Sequence, residues 1–330
     1  MPELNLDQWN RWLEAHPGAH LLQQGEWGAL KAEFGWTPVR IAAGESGVQV
    51  LFRRLPLGFS LAYIPKGPVG ADWAQLWPEV DAACRQRRAV FLKVEPDAWE
   101  DAFAAESALR RFGFQPSAHN LQPPRTALVD ISGDEGEILA RMKQKTRYNI
   151  RLAGRKEVVV QPSDDLSAFT DLMAVTGERD AFGVHAPEYY RRAYELFQPL
   201  GMCELLIASY QGQPLAGIMV FARGERAWYF YGASNNIERN RMPAYLVQWE
   251  GIRWARSKGC TTYDLWGIPD ADEETLEDQF TDRSDGLWGV YRFKRGFGGD
   301  VRRAAGAWDK VYNRAAYWAY QQLIARRSAD

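Results

Sequence analysis

The stretch "CELLIASYQGQPLAGIMVFARGERAWYFYGASN", residues 203–235, decides the fold. It divides into three apolar and aromatic runs, "CELLIASYQ", "QPLAGIMVFAR" and "RAWYFYGASN", which predict successive antiparallel strands. Helical patterns "LSAFTDLMAVTGERDAF" and "APEYYRRAYELFQ" precede them, and a helix "PAYLVQWEGIRWARSKG" with a strand "TTYDLWGIP" follows. The same order occurs earlier in the chain. There "QGEWGALKAEFG" reads as a helix before the strands "TPVRIAA", "GVQVLFRRL" and "SLAYIPKGPV", and the helix "WAQLWPEVDAACRQRR" leads into the strand "AVFLKVEP". Each half spans roughly a hundred residues, an ordinary domain size. The expected architecture is therefore α/β with mixed sheets: two tandem copies of one unit, at 1–131 and 132–308.

Composition narrows the function classes. With 46% hydrophobic residues in 330, packed cores are affordable, and the absence of an apolar run long enough to span a bilayer predicts no integral membrane segment. The start "MPELNLDQWN" lacks the features of a signal peptide, so a cytoplasmic location is expected. Cys84, Cys203 and Cys260 are odd in number and widely spaced, which suggests neither disulfides nor a zinc site. Four histidines without a ligand-like grouping predict no metal centre. The formal net charge is only -2. Against it, "RMKQKTRYNIRLAGRK" (141–156) carries seven basic residues and no acidic one.

Ser132 and Glu135 read as a capping box and Gly154 as a helix terminator, predicting one helix over about 133–153. Leu139, Met142, Ile150 and Ala153 share its inward stripe, and Lys143, Arg147 and Arg151 lie along another face, where like charges repel. A second basic cluster, "YRFKRGFGGDVRR" (291–303), follows the acidic "PDADEETLEDQFTDRSDG" (269–286). Together they predict contact with phosphates rather than base readout.

The motifs "MKQKTRYNIRLAGRKEVVV", "YIPKGPV", "WYFYGASN", "YLVQWEGIRWARSKGCTTYDLWGI" and "VYRFKRGFGG" resemble the FemABX peptidyltransferases across nearly the whole chain. The resemblance implies two tandem GNAT-like acyltransferase domains, with a final helix at 309–330 that packs back on the first. Nothing around 160–200 is long enough for a coiled-coil arm, so the compact FemX branch is the nearest match. It further implies transfer of an amino acid (Gly, Ala or Ser) from aminoacyl-tRNA to the side-chain amine of the third stem-peptide residue of a peptidoglycan precursor. No cofactor is implied beyond aminoacyl-tRNA as co-substrate. The acceptor partner is UDP-MurNAc-pentapeptide or a lipid-linked precursor.

Site residues follow from the same match. Lys294 with Phe293, in "RFKRGFGG", corresponds to the family's reaction-centre pair, and Glu95, in "KVEPDAW", is the candidate base, with Asp97 its competitor. Lys31, Tyr189, Tyr229 and Tyr231 correspond to residues that line the precursor site; strand alternation places Tyr229 and Tyr231 on one face. Lys143, Lys145, Arg147, Arg151 and Arg295 are the candidate tRNA contacts. Two departures stand out. His185 and Ala186 occupy the place of a family arginine before proline, with Arg179 the candidate substitute. Where acetyltransferases cradle a pyrophosphate on a glycine-containing loop, this chain has Met242 and Pro243, which disfavours coenzyme A. An acyl-CoA-dependent N-acyltransferase and a non-catalytic tRNA or cell-wall binding module are the alternative readings.

Overall fold

The structure, a computed structural model, describes residues 3–103, 105–180 and 183–327, with side chains as far as Ala325. The chain begins with α1 (Leu6–Glu14) and α2 (Gly25–Glu33), then β1 (Trp36–Ala43), β2 (Ser46–Arg54) and β3 (Ser60–Pro65). Next come α3 (Leu76–Gln86), β4 (Ala89–Glu95), α4 (Glu106–Arg111) and the short β5 (Gln115–Pro116). The middle holds β6 (Arg125–Asp130), α5 (Glu135–Arg141), α6 (Gln144–Arg155), β7 (Val159–Pro162), α7 (Leu166–Asp180) and α8 (Pro187–Phe197). There follow β8 (Cys203–Tyr210), β9 (Gln213–Arg223), β10 (Arg226–Ser234), α9 (Pro243–Ser257) and β11 (Thr262–Asp264). Last are α10 (Glu273–Gln279), α11 (Trp288–Lys294), β12 (Asp300–Arg303), β13 (Trp308–Val311) and α12 (Arg314–Arg327). The final two residues of the helix expected at 166–182 lie outside the described residues.

Two compact units result, 1–124 with 303–330, and 125–302. The first sheet runs β1-β2-β3-β4-β13-β5, with β1–β2–β3 antiparallel and β4 parallel to β3 after the α3 crossover. The second runs β12-β6-β11-β10-β9-β8-β7; β8–β9–β10 are antiparallel and β11 is parallel to β10 after α9. The repeat legible in the sequence is thus a repeat of topology.

Its ends differ from expectation for one reason. The parallel strand closing each copy exposes a far edge that must be paired. In the second unit β6 covers β11, so residues 125–130 belong there rather than with the first unit. In the first, β13 covers β4, pairing Trp308–Val311 with Val94–Phe91. The expected C-terminal helix therefore starts only at Arg314, and residues 309–311 are strand.

A buried ion pair fixes this return. Lys93 Nζ lies 2.8 Å from Asp309, with side chains 2% and 1% exposed. Lys93 also donates to Ser117 Oγ and to the His119 carbonyl, while Asp309 accepts from Ser117 Oγ at 2.6 Å and from Tyr317 Oη of α12 at 2.8 Å. Tyr317 and Tyr320 then pack on Phe91 of β4. Each unit has its own core; the three cysteines are buried and free within them.

The helix expected over 133–153 is two helices. Asp134, not Ser132, caps α5, in a reciprocal box with Glu137. Met142 is extended (ψ 153) and the Lys143 N–H donates to the Gly296 carbonyl at 2.9 Å, outside the helix ladder. The backbone of 296–298 comes so close that a Cβ on Gly298 would sit 2.2 Å from the Arg141 carbonyl, so a side chain there is excluded. The left-handed residue ending α6 is Glu157 (φ 60) rather than Gly154.

Removing one partner of a buried ion pair strands the other charge, at a cost of about 3–5 kcal/mol. Asp309→Ala is expected to lower unfolding free energy by that amount in urea titrations. A loss typical of a surface pair, under about 1 kcal/mol, would refute the assigned role.

Candidate active site

The parallel pair β10–β11 stays together for three residues only, Arg226–Trp228 against Thr262–Asp264, although β10 runs on to Ser234. Past Asp264 the chain turns away, with Trp266 in the left-handed region (φ 60) and its indole against Phe230 at 4.7 Å. Carbonyls released from a ladder inside a protein need other donors. Lys294, the last residue of α11, supplies them: Nζ donates to the Gly267 carbonyl at 2.8 Å and the Trp266 carbonyl at 3.2 Å. Its side chain is 5% exposed and passes 5.6 Å from the centre of the Tyr229 ring. Burial drives its pKa down to about 7, against a smaller upward pull from Asp264. Asp264, itself buried, accepts from Thr126 Oγ1 and from the Trp266 N–H at 2.7 Å. Lys294 sits at the end of a helix. Phe293 is half-buried and packs on Tyr245 and Phe297.

Tyr229 and Tyr231 do not share a face. A bulge at Phe230 makes Tyr229 oppose Val220 and Tyr231 oppose Met219, which resets the alternation. Tyr229 packs with the core cluster that contains α9, and its hydroxyl lies where a Cβ on Gly232 would be, 2.1 Å away. Tyr231 turns to the opposite side, where it meets Tyr189, Tyr190 and His185. There His185 stacks on Tyr189 at 4.0 Å, and Tyr231 Oη donates to Tyr189 Oη at 3.5 Å. Burial raises the Tyr189 and Tyr229 hydroxyls to about 12, so both remain neutral donors at physiological pH. Arg179 is bidentate to Asp180 and also donates to the Ser234 carbonyl at 2.9 Å. The hydrogen bonds it donates to Asp180 raise its pKa, so the structure binds this guanidinium internally.

In the first unit Glu95 ends β4 with 4% exposure, not solvated as a strand-end carboxylate would be. It accepts from Tyr63 Oη, from the Leu121 N–H at 2.6 Å and from the Gln122 N–H at 3.0 Å. Those bonds tie the loop at 121–122 to the strand, and a general base must shed one of them to take a proton. Asp97 is half-buried. Lys31 lies in the last turn of α2, over the Trp27 ring at 4.7 Å; burial lowers its pKa to about 8.

The basic stretch does not form one solvated stripe. Lys143 is the N-cap of α6 and lies 3.7 Å from Glu277 of α10. Arg295 forms a two-pronged pair with the same carboxylate, whose pKa the Arg295 hydrogen bond lowers to about 2. The acidic loop therefore neutralises part of the basic cluster instead of standing beside it. Arg147 donates to the Met142 carbonyl at 2.5 Å and the Ala140 carbonyl at 3.3 Å, serving the free C-terminus of α5. Lys145 and Arg151 remain on the exposed face of α6. Between them stands Tyr148, 53% exposed with Arg155 over its ring at 5.6 Å, a residue that the sequence reading passed over. An exposed aromatic at i+3 from one cation and i−3 from the next was the available signal.

Among the described residues no cluster of His, Cys, Asp and Glu could hold a metal, and no helix is long and apolar enough to cross a membrane. A bulged strand, a splayed parallel pair and a desolvated amine beside the gap make this the candidate active site of a mixed sheet with GNAT-like topology. The chain belongs to the FemAB family, whose model matches residues 4–211 and 198–324. It is similar to the lipid II:glycine glycyltransferase of Staphylococcus epidermidis, 25% identical over a 414-residue alignment covering 99% of this chain and 96% of that protein. Its fold is that of FemX (TM-score 0.85, 23% identity, 97% of this chain and 99% of that one). A tandem GNAT protein from the clavulanic acid pathway shares the architecture at TM-score 0.51, with 11% identity and coverage of 92% and 94%.

A lysine at about 7 when folded and 10.5 when unfolded binds fewer protons in the native state between those values. Stability therefore rises as pH increases through that window. Urea titrations across it are expected to show a steeper rise in the parent protein than in Lys294→Met, in which only the smaller contribution of Lys31 remains. An identical slope in both would contradict the burial of an uncharged amine.

Proposed function

We propose that the protein is an aminoacyltransferase of peptidoglycan bridge formation. It moves an amino acid, glycine being the one that the relatives' name supports, from aminoacyl-tRNA to the side-chain amine of the third stem-peptide residue of a lipid-linked precursor. Family membership supports acyl transfer as the class, and the buried Lys294 is the observation that carries the chemistry. The acceptor amine attacks the ester carbonyl, a C–N bond forms, and the tetrahedral oxyanion collapses with cleavage of the bond to the ribose oxygen. The proton lost by the nitrogen goes to that oxygen. Lys294 uses two N–H groups on the Trp266 and Gly267 carbonyls. Its third position holds a proton or a lone pair near neutral pH, as a proton carrier requires. Protonated, the same group stabilises the oxyanion.

The donor's phosphates meet Lys145, Arg151 and Arg155, with Tyr148 offering a stacking surface to an unpaired base. Tyr189 and Tyr231 offer a neutral hydroxyl pair to the precursor. Charged tRNA as donor places the reaction in the cytoplasm. The acyl-CoA alternative is weaker, because α9 opens on Met242 (φ 57) and on Pro243, which has no N–H to give a pyrophosphate.

Incubating the protein with glycyl-tRNA and lipid-linked precursor is expected to yield a product heavier by one glycine in mass spectrometry. Lys294→Ala lowers the rate roughly a hundredfold or more, the scale of losing one electrostatic donor, while RNA affinity stays unchanged. Product formation that survives RNase, or that needs an acyl-CoA, would sink the donor assignment. Binding of RNA with no acceptor consumed would favour a non-catalytic module.

A further inference from the structure

The segment "FRRLPLGF" (52–59) joins β2 to β3 through a short turn whose tip is apolar and exposed. Leu57 is 84% exposed and is held in the left-handed region (φ 62), with Pro56 before it and Gly58 (φ 73) after it. A leucine kept in that conformation and in water carries backbone strain with no burial to offset it. Basic residues surround it. Arg53 and Arg54 end β2, and both are exposed. The Ser60 N–H donates to the Arg88 carbonyl at 3.1 Å, so the turn "RQRR" (85–88) lies against the same end of the sheet. Arg88, exposed and also left-handed (φ 51), extends over the Phe59 ring at 4.7 Å. Arg87 lies over Phe52 and is paired with Glu3 at 2.5 Å. None of Arg53, Arg54, Arg85 and Arg88 forms an ion pair among the described residues.

We propose that this end of the first unit, with Leu57 at the tip and Arg53, Arg54 and Arg88 as a collar, docks on an anionic phospholipid surface. An apolar tip flanked by guanidinium groups, Arg88 beside the turn and Arg53 and Arg54 leaving opposite faces of the strand that leads to it, matches a bilayer interface: the leucine enters the acyl boundary and the arginines meet lipid phosphates. A nucleic acid would use the charges but leave Leu57 in water, so the tip favours lipid. The inference rests on the reading of a lipid-linked acceptor and deepens it, since docking there concentrates the protein where that acceptor resides.

The test is co-sedimentation of the full chain with vesicles of phosphatidylglycerol and phosphatidylcholine in equal parts, and with phosphatidylcholine alone. The protein is expected to sediment with the anionic vesicles and to be released by salt. Replacing Arg53, Arg54 or Arg88 by Gln weakens binding about fivefold each, and Leu57→Ser weakens it roughly tenfold. Leu57→Ser leaves transfer to a water-soluble acceptor unchanged. Absence of anionic-vesicle binding, equal binding by all variants, or arginine variants that lose RNA binding and keep vesicle binding would each overturn the proposal. The vesicles contain no precursor or tRNA, so failure here leaves the transfer reaction standing, and failure of transfer leaves this result intact.

Discussion

The second unit depends on one constraint: two parallel strands that separate after three paired residues. Parting β10 from β11 leaves main-chain carbonyls without ladder partners in the protein interior, where such groups cannot remain unbonded. Lys294 bonds two of them from a neighbouring helix and in doing so loses its solvent. The bulge at Phe230 belongs to the same event, because it sends Tyr229 under the gap and Tyr231 to the other face. Strain, desolvation and a functional group near its neutral pKa thus share one cause, as is common where a site is built from the fold.

Helix breakage nearby has the same origin. The turn at 296–298 that anchors Lys294 presses its backbone onto the junction between α5 and α6, captures the Lys143 N–H and forbids a continuous helix. Arg147 then serves the carbonyls that α5 leaves free, and Glu277 absorbs charge from Lys143 and Arg295. Basic residues that look alike in sequence have separate duties: some hold the turn of Lys294 in place, and those around Tyr148 face solvent.

The sequence shows periodic features well. Strands β8, β9 and β10 and their counterparts β1, β2 and β3 follow from their apolar runs, and the duplicated order is visible because each run is long. What it conceals are partners distant in the chain. The Lys93–Asp309 pair joins residues more than two hundred apart, so the C-terminal strand reads as part of a helix. A bulge adds one residue without changing composition, so Tyr229 and Tyr231 look like neighbours on one face. The hydrogen bonds that hold Glu95 are equally hidden, since nothing local announces the N–H groups of 121–122. Lys294 was legible only by resemblance; its burial arises from strand separation, which no local pattern encodes.

The ionisation of Lys294 can be followed directly. Selective carbon-13 labelling of lysine, with the Lys294 Cε resonance assigned by comparison with Lys294→Met, gives its titration curve in the folded protein. A midpoint near pH 7 is the predicted result. A midpoint close to 10.5, as for a lysine in water, would mean that the amine is hydrated and that the strand gap does not set its chemistry.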